Sequence, residues 1–449
     1  MAKNLDLTSG SVTKSLLKFT IPILFTILLQ TAYGTADLLI VSQFSGVADV
    51  SGVTIGSQVM NSITSFFTGL SMGTTILIAR YIGAKEKEKS STVMGTSILL
   101  FAFFAIILTL TIVLFKNNIV AIMKTPTESL AQTKSYLLVC GLGSSFILSY
   151  NIIGSIFRGI GDSKTPLITV AIACVTNIIL DLILIGLFGL GALGAALATV
   201  TAQAFSVVLS IIFIRRKTLP FEFTRKNIKL NFGYCKDIIK LGFPIGLQSV
   251  MVNISFLVIT SIVNTLGVVA SAAVGIVEKI TGVIMVVAQA FSQSLSAFTA
   301  QNMGANQPHR AKKGLFIGMG ISLIFGVITA YISAFHGEIL LNIFSPDEET
   351  LASGLQYLKS YSIDCIFVAI MFSFSGYFVG LGKTTFAMAQ NIIGAFCVRI
   401  PLAFVFSSLP NTSLFIIGLA TPSSSVLQII LCVYYYIYLK RKQENPLAN

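Results

Sequence analysis

The sequence predicts an all-α integral membrane protein of about 12 transmembrane helices, arranged as two parallel six-helix repeats around a central cleft. Three observations predict it. Hydrophobic residues make up 54% of the 449 residues and charged residues only 10%, whereas a soluble domain carries about 25% charged residues. The apolar residues fall into runs that reach the roughly 20 residues needed to cross a bilayer as a helix. A shift of about 221 residues brings the two halves of the chain into register.

The runs place spans at 16–42, 51–80, 92–115, 131–157, 165–188 and 192–214, then at 237–265, 271–303, 311–335, 352–380, 384–407 and 411–439. The first follows Lys14 and Lys18 as a signal peptide would, but it is too long for an apolar signal core and its pattern recurs at 237, so it reads as a retained helix. The net charge of +13 does not point to nucleic acid, because the basic residues sit at the ends of apolar runs rather than on one amphipathic face. About 24 of the 30 Lys and Arg fall on one side of the predicted topology, with the acidic "SPDEET" on the other, which puts both termini in the cytoplasm of a multi-pass plasma-membrane protein. Six scattered cysteines without a C-x-x-C, and two histidines, suggest no disulfide framework, zinc site or haem motif, and no cofactor other than a coupling ion is expected.

The repeat is carried by five matches in one order: "KFTIPI" with "KLGFPI", Gly46 with Gly267, "ARYIGA" with "AQNMGA", "SYLLVC" with "SYSIDC", and "RGIGDSKT" with "VGLGKT". An even number of spans per half makes the repeats parallel. The expected organisation is an N-lobe at 1–214, a basic cytoplasmic linker at 215–236 and a C-lobe at 237–449.

Among the 17 acidic residues, only Asp37, Asp181, Glu278 and Asp364 fall well inside predicted spans. An ionisable group at membrane depth costs several kcal/mol or more, so each is a functional candidate. On the first span, Thr26, Gln30, Tyr33 and Asp37 share about 60° of arc. On the fifth, Asn177 and Asp181 stand one helical turn apart on one face. Carboxylates held together can share a proton or, with neutral oxygens, hold a hard cation such as sodium; the residues leave both open.

With these features the chain resembles the multidrug and toxic compound extrusion (MATE) transporters over nearly its whole length. The likeness rests on the two six-helix repeats, Pro22 and Pro244 in the first helix of each half, "RGIGDSKTP", and the "RIP" of Arg399 to Pro401. The N-lobe is most similar to the prokaryotic DinF-like branch. That resemblance implies a coupling site for sodium or a proton at Asp37, Asn177, Asp181 and Thr199, with Tyr33 and Asn151 as supporting matches. It implies a secondary antiporter, not an enzyme, that exports amphipathic, mostly cationic organic compounds and works as a monomer in the bilayer. In another branch the C-lobe carries carboxylates on its first and fourth spans; this chain has none on the former, and Asp364 lies about one turn from the expected place on the latter. Glu278, Asp364 and Arg399, with Gln30, therefore stand as candidate substrate or supporting contacts, against the alternative that Glu278 pairs with Lys279 and Asp364 with Arg399. Pro22 and Pro244 are expected helix kinks, static or moving.

Other features read more plainly. "GLFGLGALGAALA" suggests a tight turn with close helix packing, and "LLFAFFAIIL" a lipid-facing stretch. "GLGKT" lacks the spacing and preceding strand of a phosphate loop. The alternative function is a lipid-linked oligosaccharide flippase of the same broader superfamily, which would want a basic cavity. A major-facilitator carrier lacks its Gly-Asp-Arg loop here, and no catalytic constellation of His, Ser and Cys is visible.

Overall fold

The computed structural model describes residues 6–216, 219–343, 347–410 and 412–444. Lys3 and Lys217 of the basic clusters, and Ser345 and Pro346 of the acidic loop, lie outside the described residues. Among the described residues eleven helices are long and apolar enough to cross a membrane, or twelve when one bent pair counts as a single span. The chain is a multi-pass membrane protein.

In chain order the helices are α1 (Val12–Phe44), α2 (Val47–Gly83), α3 (Lys87–Ile122), α4 (Leu130–Leu142), α5 (Ser144–Ile160), α6 (Lys164–Asp181) and α7 (Gly191–Arg216). They continue as α8 (Phe232–Asn264), α9 (Val268–Ile284), α10 (Val286–Gly304), α11 (Pro308–Phe335), the short α12 (Gly337–Leu341), α13 (Glu348–Gly380), α14 (Thr384–Ile392), α15 (Ile400–Ser407), the short α16 (Leu414–Gly418) and α17 (Ala420–Glu444). The twelve expected spans are all present, and the first three run two to seven residues longer at each end. Helix ends extend readily into polar sequence, because intrahelical hydrogen bonding continues where hydropathy has already fallen.

The prolines do not interrupt their helices: α1 runs through Pro22 and α8 through Pro244. A sharp bend lies in the fourth span at Gly143, where the α4 and α5 segments meet at 55°. A Cβ on Gly143 would overlap the Val200 side chain of α7. The missing side chain thus lets the bent span lie directly against α7, beside Thr199. The glycine-rich turn before α7 has the predicted form: Gly189 and Gly191 take positive φ, and the Asp49 carboxylate accepts from the Ala192 N–H at 2.9 Å. An anion at a helix N-terminus satisfies an otherwise orphaned donor and complements the helix dipole.

Two helical stretches widen to π geometry, Leu182–Leu187 directly after α6 and Ile393–Arg399 between α14 and α15. Such wide turns change the direction in which successive side chains point and often occur at functional positions. The signal was invisible in the apolar sequence.

The chain divides into two compact units: residues 1–246 with 300–307, and 247–299 with 308–449. The division cuts through α8 and α10 rather than falling in the basic linker. Unit 1 keeps the end of α10 through a clasp of matching segments. A Cβ on Gly83 would overlap the Gln301 carbonyl oxygen, and one on Gly304 would overlap the Arg80 carbonyl oxygen. These are the matched "ARYIGA" and "AQNMGA" stretches, packed reciprocally. Leu7 adds to the clasp: its N–H donates to Gln301 Oε1 at 3.0 Å.

Each unit has its own apolar core. In unit 1 it includes Val41, Ile78, Phe101, Phe157 and Ala195; in unit 2 it includes Ile259, Val277, Tyr357, Leu358 and Ala403. Large apolar side chains also face outward, such as Phe103, Leu110 and Leu114 of α3. A surface of that kind is stable against hydrocarbon and would associate in water. The phenylalanine-rich stretch of α3 is split, however: Phe103 faces out, while Phe101 is buried and packs edge-on to Phe67.

Candidate functional site

In unit 1, α1, α6 and α7 pack on one another, and the four residues expected at a coupling site lie on these three helices. Asp37 is 5% exposed, Asp181 0%, Asn177 1% and Thr199 7%. The Asp37 and Asp181 carboxyl groups lie close enough to act directly on one another. Asp181 is the last residue of α6, at the threshold of the π turn. Asn177, one turn earlier, shares its face.

The polar atoms of this group are conspicuously unmatched. Asp37 Oδ1, both oxygens of Asp181, both amide atoms of Asn177 and Thr199 Oγ1 lack a hydrogen-bond partner. Buried polar atoms are normally paired, and a buried ionised carboxylate left alone costs several kcal/mol. Among the described residues no basic side chain forms an ion pair with either acid. Two facing carboxyls lower their energy by holding one proton between them, or by enclosing a monovalent cation with neutral oxygens alongside. No group of three or more His, Cys, Asp and Glu gathers among the described residues, so neutral oxygens from Asn177 and Thr199 would have to complete any cation shell.

The other candidates on this side separate. Tyr33 belongs to the site, its hydroxyl beside Thr199 and within the field of Asp37. Gln30 is exposed and donates from Nε2 to the Tyr150 hydroxyl at 2.7 Å. Asn151 is engaged elsewhere: it accepts from Thr68 Oγ1 at 2.9 Å and donates to the Ile147 carbonyl at 2.8 Å. Thr26 spends its hydroxyl on the Pro22 carbonyl at 2.7 Å. The polar stripe of α1 thus contributes Tyr33 and Asp37 to the acid pair, while Gln30 and Thr26 serve local bonds.

Sequence reasoning missed Tyr136 and Cys140 of α4, both buried and both within the field of Asp37. They stand one turn apart in "SYLLVC", which had been read only as a repeat marker. Its counterpart "SYSIDC" supplies Tyr361, Asp364 and Cys365 to the buried charges of unit 2. A motif recurring at both acidic centres was the available signal.

In unit 2 the acids are held differently from either expected pairing. Glu278 is half-buried and accepts from Thr260 Oγ1 at 3.0 Å, whereas Lys279 is exposed. Adjacent helical residues point about 100° apart, so the two do not meet. Asp364 is 1% exposed, beside Ser425 and within the field of Arg399, but neither of its oxygens has a hydrogen-bond partner. Neither Glu278 with Lys279 nor Asp364 with Arg399 forms an ion pair within 4.0 Å.

Comparison with known proteins agrees with this architecture. The MatE family model matches twice, at residues 22–183 and 244–405, one match per repeat. The probable multidrug resistance protein YoeA of Bacillus subtilis is 25% identical over 441 residues, covering 97% of this chain and 95% of that protein. The multidrug export protein MepA of Staphylococcus haemolyticus is 26% identical over 89% of this chain and 88% of its own. A crystal structure of MATE in complex with MaL6 superimposes with a TM-score of 0.93 at 20% identity, over 99% of this chain and 100% of the other. A MOP superfamily transporter from Pyrococcus furiosus, described as having reverse polarity of its binding pocket, superimposes with a TM-score of 0.91 at 20% identity over 99% of each chain. Likeness at that identity speaks for the fold alone. With both repeats matched across more than half of its length, the chain belongs to the MatE family of multidrug and toxic compound extrusion transporters.

Proposed function

We propose that the protein is a secondary active antiporter that exports amphipathic, mostly cationic organic compounds in exchange for inward sodium ions or protons. The observation that carries the coupling is the pair of facing, unmatched carboxyls at Asp37 and Asp181. Occupancy by one cation satisfies the pair, and loss of the cation leaves two buried negative charges in repulsion. The two states therefore favour different packings of α1 against α6 and α7. Asn177 and Thr199 supply neutral oxygens to the same cation.

The relatives named for multidrug resistance and export support the cargo class. Four intramembrane acids in the span interiors suit positively charged cargo better than the pyrophosphate of a lipid-linked oligosaccharide. The Lys and Arg bias supports both termini in the cytoplasm. For neutral cargo, one inward charge supplies about 2.3 kcal/mol per 100 mV, which sustains roughly a fifty-fold gradient; one-for-one exchange against a monovalent cation moves no net charge, so there the concentration gradient of the coupling ion is the driving force. No cofactor is required, and one chain carries every residue of this reading.

The test is uptake of a cationic dye into inside-out vesicles, where export from the cytoplasmic face fills the lumen, under separately imposed sodium and proton gradients. One of the gradients should drive transport by the wild-type protein, and Asp37→Asn should abolish that response in a protein that still folds. An amide keeps the shape of the carboxyl but cannot gain and lose charge. Wild-type transport by a well-expressed Asp37→Asn protein would remove Asp37 from the mechanism.

A further inference from the structure

Unit 2 holds a second buried charged cluster, and its cation is part of the chain. Arg399 closes the Ile393–Arg399 π turn with only 6% exposure. Its guanidinium carbon lies 4.7 Å from the centre of the Phe256 ring, and Nη1 reaches Ser255 Oγ only at 3.5 Å. Nε has no partner. Asp364, Glu278 and the guanidinium all act electrostatically on the buried Tyr361, and Glu278 and the guanidinium act on the buried Tyr357 as well. Neither acid closes to ion-pair distance.

This arrangement differs from a structural salt bridge, in which an Arg–carboxylate pair is commonly bidentate and satisfies several donors at once. Here the guanidinium rests on an aromatic face, with one carboxylate fully buried nearby and a second half-buried. An aromatic face with carboxylates around it is the chemistry by which proteins bind organic cations. Asp364, 1% exposed with both oxygens unpartnered, marks a place that favours positive charge.

We propose that this cluster is a binding site for a planar organic cation in which the Arg399 guanidinium is a tethered guest. The side chain takes the position that a free guanidinium or amidinium ion would occupy over the Phe256 ring, within the field of Asp364, and keeps that position filled. Glu278, held by Thr260, belongs to its rim. The inference goes beyond the coupling reading of unit 1 and does not depend on it, since every residue involved lies in unit 2.

Truncation to the β-carbon untethers the guest, so the test is chemical rescue. Purified Arg399→Ala protein should melt at a lower temperature than the wild type, and millimolar guanidinium or ethylguanidinium should recover part of the loss. Urea has the same planar shape without the charge, and potassium chloride has charge without the shape; at equal concentration neither should do so. Wild-type protein should gain nothing from guanidinium. Equal effects of guanidinium and urea on folded Arg399→Ala protein, or no effect of either, overturn the proposal.

Should Arg399→Ala fail to fold, the double variant Arg399→Gln/Asp364→Asn decides. Each single change leaves one buried charge without its counterpart, so the double variant should be more stable than the sum of the two losses, and guanidinium should not raise its melting temperature. Losses that add, or a double variant that responds to guanidinium as strongly as a single one, count against a guest held by Asp364.

Discussion

The two buried acidic clusters solve the same electrostatic problem in opposite ways. In unit 1, Asp37 and Asp181 face each other, and among the described residues no ion pair reaches either. In unit 2, Asp364 lies within the field of Arg399, a cation that cannot leave. Both centres are flanked by a Tyr and a Cys from the same repeated motif, Tyr136 and Cys140 in one and Tyr361 and Cys365 in the other. The surroundings are thus similar while the source of positive charge differs. On the reading proposed above, a cluster that lacks its own cation takes one from solution, and unit 1 is the half proposed to respond to an ion gradient. A cluster that carries its cation has no such need.

Neutralising one acid in each cluster is the strongest way to break this contrast. Asp181→Asn should reduce gradient-driven efflux to the level of protein-free vesicles, while the melting temperature stays level or rises because a repulsive pair is relieved. Asp364→Asn should do the reverse: it leaves Arg399 buried beside fewer counter-charges, and stability should fall by up to about 3 kcal/mol, the lower end for an interrupted buried pair. Efflux assays and melting curves on the same two preparations check both. A loss of stability in Asp181→Asn with coupling intact would show that the two clusters play the opposite roles.

Within unit 1 the neutral ligands should matter less. Asn177→Ala removes an amide oxygen close to the charge, and a loss of about 1.4 kcal/mol raises the half-saturating cation concentration about tenfold. Thr199→Ala removes a hydroxyl that also neighbours Tyr33, and a contribution of about 0.5 to 1 kcal/mol gives only a few-fold shift. Efflux measured against sodium concentration and pH separates the two effects. Unchanged dependence in both would place the cation outside this set of helices.

Glu278→Gln should change which compounds bind. The carboxylate is half-buried with one hydrogen bond from Thr260 and no lysine partner, so its removal should not expose an unpaired cation. Competition assays should show weaker binding of a cationic ligand and near-unchanged binding of a neutral ligand of matched shape. Equal weakening of both would make Glu278 a packing residue.

Much of this molecule was legible in the sequence because the bilayer imposes so few solutions. Apolar runs of spanning length had to be helices, and each was found. The acid pair was legible because charge at membrane depth is rare and Asn177 and Asp181 sit one turn apart. What escaped was geometry that apolar sequence does not encode. The bend at Gly143 and the π turns beside Asp181 and before Ile400 depend on how neighbouring helices press together. The engagement of Asn151 by Thr68 likewise needed α2 to be placed. The alternative that Asp364 pairs with Arg399 named residues that do share a field, but no ion pair closes between them.

The smallest expected effect lies outside the spans and compares how the two related bent and straight helices begin. In unit 2, Asp347 caps α13: its carboxylate accepts from the Thr350 N–H at 2.9 Å. In unit 1, α4 starts at Ser129 with no side-chain cap. The hydrogen bonds from the Thr350 side chain and N–H hold the Asp347 carboxyl below its ordinary value. A carboxyl whose folded value is depressed stabilises the fold above its unfolded value, near pH 4, and that contribution is lost as the pH falls through the folded value. Asp347 is exposed, so solvent screens the effect, and Asp347→Ala should lower the melting temperature by no more than about 2 °C at neutral pH. The difference should disappear in acid. Hydrogen exchange gives the local readout: the amides at the start of α13 should exchange faster in the variant at neutral pH, and those at the start of α4 should not change. Equal acceleration at both helices would mean that the substitution had loosened the protein as a whole rather than removed one cap.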